Sequence, residues 1–183
     1  MPTAIIRPNG TTSQQGWGAS NIHTIIGDNN ASTVVDQTST LCDWKGPLSD
    51  LDASLSGATI NSMTISMQGE PGRAGASTVT FVYIAGDGTT FGSEAENFTG
   101  GDQTVTTSAR TTQDDGSSAL TYTFINAMSL SVVPNNQGIT AKEVFITVDY
   151  TVAVLPKLTY DTTVNNIHIT SGNINVPSGN IFI

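Results

Sequence analysis

Lys142-Glu143-Val144-Phe145-Ile146-Thr147-Val148-Asp149-Tyr150-Thr151-Val152 sets Val144, Ile146, Val148, Tyr150 and Val152 in alternation with Phe145, Thr147, Asp149 and Thr151. Side chains of a strand point to opposite faces with a period of two, so this run predicts a strand with one dry and one wet face. Upstream, Met63, Ile65 and Met67 alternate with Thr64 and Ser66 before Glu70-Pro71-Gly72 ends the pattern. Thr78 to Ala85 is more continuously apolar, β-branched and aromatic, and is closed by Gly86-Asp87-Gly88. It predicts a central strand buried on both sides. Thr104 to Thr107 and Leu120 to Ile125 read as two strands that pair as neighbours around the polar turn Gln113-Asp114-Asp115-Gly116. Leu130 to Val133 ends at Pro134-Asn135-Asn136-Gln137-Gly138, and Asp50 to Leu55 is the one stretch suited to a helical turn. Many short strands separated by turn signals predict an all-β chain, an antiparallel β-sandwich of jelly-roll type.

The chain has 183 residues, enough for one sandwich and an appendage. Only 11% of residues are charged, with 15 carboxylates against 6 Lys and Arg for a formal net charge of -9. Arg7, Lys45, Arg73, Arg110, Lys142 and Lys157 are scattered along the sequence, so a phosphate backbone would be repelled and nucleic-acid binding is not expected. Cys42 stands alone, which excludes an internal disulfide and a cysteine-rich zinc site. Met1 to Arg7 lacks the pattern of a signal peptide, and no apolar run approaches the roughly 18 residues of a membrane span. The expectation is a chain that is neither exported by the general route nor inserted in a membrane.

The final segment repeats with a period of seven: Asn166-Ile167-His168-Ile169-Thr170-Ser171-Gly172, Asn173-Ile174-Asn175-Val176-Pro177-Ser178-Gly179, then Asn180-Ile181-Phe182-Ile183. A coiled coil would space its apolar pair three or four apart, but here the pair is two apart among Asn, Gly and β-branched residues. Each unit therefore reads as a four-residue strand followed by a Ser-Gly corner. Ile167, Ile169, Ile174, Val176, Ile181 and Ile183 fall on one side, and burying them within one chain returns less than the entropy of ordering the segment. Three copies about a threefold axis would supply the missing apolar surface. The expected organisation is a β-sandwich over residues 1–155 and a repeat tail over residues 156–183 that forms an intertwined trimeric stem, the alternative being a tail folded onto its own sandwich or onto another protein.

Arg7-Pro8-Asn9-Gly10, Gly16-Trp17 and Gly27-Asp28-Asn29-Asn30-Ala31-Ser32-Thr33-Val34-Val35 resemble the start of a β-sandwich module found in phage tail spikes, tail fibres and capsid decoration proteins. Lys142 to Val152 is similar to the closing strand of that module, and the tail is similar to trimeric β-stems of phage fibres. The resemblance implies a virion structural protein, made in the host cytoplasm without a signal peptide. A host-adhesion fibre has a long shaft, and this chain has one sandwich and a short stem. The resemblance therefore implies a homotrimeric decoration, or cement, protein on the outer capsid surface, with the major capsid protein as partner and weak contact with a host surface glycan. A short tail or head fibre acting as receptor-binding adhesin is the alternative, and a free carbohydrate-binding module is a third.

His23 and His168 are the only histidines, and neither lies beside a Ser or Cys in a nucleophile context, so no enzyme activity and no cofactor are expected. Asp28, Asp87, Asp114 and Asp115 lie in Gly- and Asn-rich loops without the spacing of a calcium loop, which points to turns rather than a metal site. Among Trp17, Trp44, Tyr83 and Tyr122, Trp17 is expected in the core. Trp44, between Asp43 and Lys45, is expected as an exposed platform for a glycan. Gly69-Glu70-Pro71-Gly72-Arg73-Ala74-Gly75 imitates two collagen triplets but is too short for a triple helix.

Overall fold

In chain order the elements are β1 (Thr3–Ile6), β2 (Ser13–Gln15), α1 (His23–Ile26), β3 (Val35–Asp36), β4 (Asp43–Pro47), β5 (Thr59–Pro71), β6 (Ser77–Ile84), β7 (Thr90–Phe98), β8 (Gln103–Thr106), α2 (Tyr122–Ala127), β9 (Ser129–Pro134), β10 (Ile139–Thr151), β11 (Leu158–Asp161) and β12 (Asn166–Ile169). A 3-10 turn covers Ala53–Leu55, inside the stretch expected to hold a helical turn. The computed structural model describes residues 2–39, 42–72, 76–135, 138–153, 158–161 and 166–169. The expected division between residues 155 and 156, the residues Arg73 to Gly75, and Ile174, Val176, Ile181 and Ile183 of the repeat lie outside the described residues.

The chain divides into two compact units, Met1–Thr151 and Val152–Ile183. The first is all-β and sandwich-like. One five-stranded sheet runs β1-β10-β5-β8 with β3 beside β10, and the other runs β2-β4-β9-β6-β7. The pairs described are antiparallel. β10 alternates as its sequence predicts: Val144, Ile146 and Val148 are fully buried opposite Met67, Ile65 and Met63 of β5, which are also fully buried. From the other sheet, Trp44, Val79, Phe81, Tyr83, Leu130 and Val132 join the same apolar core. Burial of these aliphatic and aromatic side chains, at about 1.5–3 kcal/mol each, is what holds the two sheets together.

Two expectations are corrected. Thr78 to Ala85 falls on β6 (Ser77–Ile84), an interior strand flanked by β7 and β9, but next to the edge rather than at the centre of its sheet and with only one face buried. Val79, Phe81 and Tyr83 point inward, while Thr78, Thr80 and Val82 are half-buried on the outer side, where the threonines tolerate water. Leu120 to Ile125 is not a strand. Thr121 takes an extended conformation and its side chain accepts a hydrogen bond from the Phe124 N–H, capping α2. The buried residues there, Ile125 and Met128, are three apart, which is the spacing of one helix face. β8 pairs with β5 instead.

The residues that carry the resemblance are structural anchors. The Arg7 guanidinium pairs with Glu143 at 2.7 Å, donates to Asn29 Oδ1 at 2.5 Å and lies 5.7 Å from the Phe145 ring centroid. It thereby ties β1 to β10 and to the loop after α1. Gly46 approaches the Gly10 carbonyl so closely that an added Cβ would overlap it. Trp17 is buried and donates from Nε1 to the Asp43 carbonyl at 3.0 Å.

Candidate functional site

Trp44 is the first expected site residue to place, and it overturns the expectation. It is 0% exposed, sits on β4 opposite Val132 of β9, and donates from Nε1 to Thr11 Oγ1 at 3.1 Å. The reason is strand alternation: flanking residues Asp43 and Lys45 turn outward, so the residue between them turns into the core. No exposed glycan platform exists at Trp44. His23 lies on α1 with Nδ1 2.9 Å from Thr11 Oγ1. Asp28 Oδ1 accepts from the Asn30 N–H, Asp87 Oδ1 from the Thr89 N–H, and Asp115 Oδ1 from the Ser117 and Ser118 N–H groups. These are turn bonds, as expected; at Asp115 the Ser118 hydroxyl also donates to Oδ2, and it, followed by the two N–H groups, holds the carboxyl down at about 2. Among the described residues no three His, Cys, Asp or Glu side chains are grouped to hold a metal ion.

The second unit contains the hairpin β11–β12, in which Leu158 pairs with Ile169, Thr159 with His168, Tyr160 with Ile167 and Asp161 with Asn166. The register thus gives the apolar residue types one parity and the polar types the other. By strand alternation the positions of Leu158, Tyr160, Ile167 and Ile169 share one face. The expectation that a strand runs from Asn166 to Ile169 is matched by β12. One of its edges is taken by β11 of the same chain rather than by a neighbouring copy. That partner strand went unread, because Leu158-Thr159-Tyr160-Asp161 lies outside the heptad repeat.

A third constellation gathers at the β7 side of the sandwich. Arg110 is pinned through its backbone, whose N–H donates to the Met63 carbonyl and whose carbonyl accepts from the Met63 N–H, both at 2.9 Å. Its guanidinium lies 4.8 Å from the Tyr83 ring centroid and 5.1 Å from that of Phe91. Phe91 packs edge-on against Phe124 of α2 at 5.2 Å. Gly92 makes the room, since an added Cβ would overlap the guanidinium. Tyr83 is buried and donates to Thr107 Oγ1 at 3.1 Å, and burial pushes its phenol up. Glu94 pairs with Phe81 in the register and Glu96 with Val79, so both carboxylates sit on the core-facing side of edge strand β7. Glu94 Oε1 accepts from the Ser108 N–H at 2.6 Å. Burial, then the neighbouring Glu94, raises the Glu96 carboxyl.

Neither protein-family models nor curated proteins match this chain.

The site must therefore be read from its own chemistry. A guanidinium resting against two mutually tilted aromatic rings, whose centroids are 5.7 Å apart, is a fixed cation, and a half-buried phenylalanine pair beside it is an apolar surface. Sequence reading missed this cluster because Tyr83, Phe91, Arg110 and Phe124 come from β6, β7, the segment after β8 and α2. The one local signal is Gly92, a glycine inside a strand where another group approaches. Among the described residues no helix is long and apolar enough to cross a membrane.

Proposed function

We propose that the chain is a phage virion structural protein with no enzymatic activity, a homotrimer that decorates and reinforces the outer capsid surface by binding the major capsid protein. The observation that carries the assembly is the β11–β12 hairpin, which belongs to the unit Val152–Ile183 and whose register gives the apolar residue types one parity. An isolated two-stranded hairpin is marginally stable at best in water, and three copies about an axis give its apolar face a partner. On this reading Ile167 and Ile169, continued by Ile174, Val176, Ile181 and Ile183, form the trimer contact, and the sandwich is a jelly roll. The test is sedimentation equilibrium at micromolar concentration. An oligomer of three copies is expected, and a fully ordered single-copy species would overturn the proposal.

A second reading, a short tail or head fibre that touches a host surface glycan, is favoured by the Arg110 cluster, which sets a cation beside half-buried aromatic side chains. Copies per virion separate the two readings: hundreds for a shell decoration, tens or fewer for a fibre.

A further inference from the structure

We propose that Arg110, Phe91 and Phe124 form a binding site for a carboxylate-bearing saccharide, with the sugar carboxylate on the Arg110 guanidinium and the pyranose C–H face on the phenylalanine pair. This deepens the glycan contact above and rests on that reading in that respect, while trimer formation is independent of it.

The first observation is an uncommitted cation. Arg7 is paired with Glu143 and Lys142 with Asp102 at 2.8 Å, but among the described residues no carboxylate lies within ion-pair distance of Arg110. The buried polar atoms without a partner among those residues are Gln37 Oε1 and Asp149 Oδ1. Neither belongs to Arg110, which is half-buried. A guanidinium presents five donors in a planar fork, and that fork matches a carboxylate with two parallel bonds.

The second observation is preorganisation. Two backbone hydrogen bonds to Met63 fix the Arg110 main chain, and the Tyr83 and Phe91 rings fix its side chain. Little conformational freedom is left to lose when a ligand arrives. Phe91 and Phe124 are both half-buried and in edge-on contact at 5.2 Å. A bare phosphate or free carboxylate would use the cation and leave that apolar surface idle, whereas a sugar acid uses both. The chain's net charge of -9 works against long polyanions, and a short oligosaccharide is screened from it beyond about 8–10 Å at ordinary salt.

The experiment is a calorimetric titration of the full-length protein with tetragalacturonate, and with the same tetramer as its methyl ester. Saturable binding is expected to the acid, weaker by about tenfold or more for the ester, the scale of a lost charge-assisted hydrogen-bond pair. Arg110→Gln should weaken acid binding similarly, and Arg110→Lys, which keeps the charge and loses the fork, should fall between. Phe124→Ala should weaken acid and ester alike. Equal affinity for acid and ester, no binding up to millimolar sugar, or unchanged affinity in a folded Arg110→Gln would each overturn the proposal. If Arg110→Gln fails to fold, the comparison of acid with ester on the native protein decides. Sedimentation of the same samples reports trimer formation separately, so failure of one proposal is not mistaken for failure of the other.

Discussion

Asp43-Trp44-Lys45 illustrates how a residue's neighbours mislead and its backbone informs. Two charges around a tryptophan suggest exposure, yet in a strand they put it on the opposite face, with Thr11 as partner for its Nε1. Trp44→Ala should cost about 3–5 kcal/mol, through the cavity left and the hydrogen bond lost. Urea unfolding followed by circular dichroism checks this, and a change within about 0.5 kcal/mol, the range of ordinary surface substitutions, would contradict the burial. Trp17, by contrast, was legible as a core residue, and so were Met63, Ile65 and Met67. Arg110 was not legible, because nothing within several positions of it in sequence indicates that it will lie over Tyr83 and Phe91.

Elements with strong period-two patterns, β5 and β10, were readable in part: the alternation marked Met63 to Met67 within Thr59–Pro71, and Lys142 to Val152 against Ile139–Thr151. The short or polar strands β1, β2, β3, β4 and β7 were not, because their pairing depends on distant partners. β7 is the instructive one. Thr90-Phe91-Gly92-Ser93-Glu94-Ala95-Glu96-Asn97-Phe98 has little apolar alternation, and its inward positions include Glu94 and Glu96. Inward charges on an edge strand discourage edge-to-edge pairing between molecules. Replacing both by valine should therefore raise self-association, seen as growing light scattering in proportion to concentration. The charge has a cost within the fold. A carboxyl raised on folding, as Glu96 is, opposes folding above its folded-state value, and the penalty fades as pH falls through that value toward the ordinary 4.5 and below. Glu96→Gln should accordingly match or exceed the parent's melting temperature at pH 7, with the difference vanishing near pH 3. A variant that melts lower at pH 7 would show that Glu96 contributes a favourable contact.

At the scale of the molecule, many carboxylates lie in connections, among them Asp28, Asp50, Asp52, Asp87, Asp102, Asp114 and Asp115, while Thr64, Thr147, Thr78 and Thr80 occupy outward register positions on the sheets. Met1–Thr151 is a compact unit whose two sheets share one apolar core. A chain ended after Thr151 should therefore fold cooperatively and sediment as a single copy; loss of the cooperative melt would show that residues from 152 onward complete the core. The central position of β10 has a further consequence. It pairs with β1, β3 and β5, so three strands made early must wait for one made last in that unit. A ribosome that stalls before Thr151 holds a half-finished sheet with open edges, the species that chaperones shield and proteases find, and quality control on this protein is decided in the final moments of that unit's synthesis.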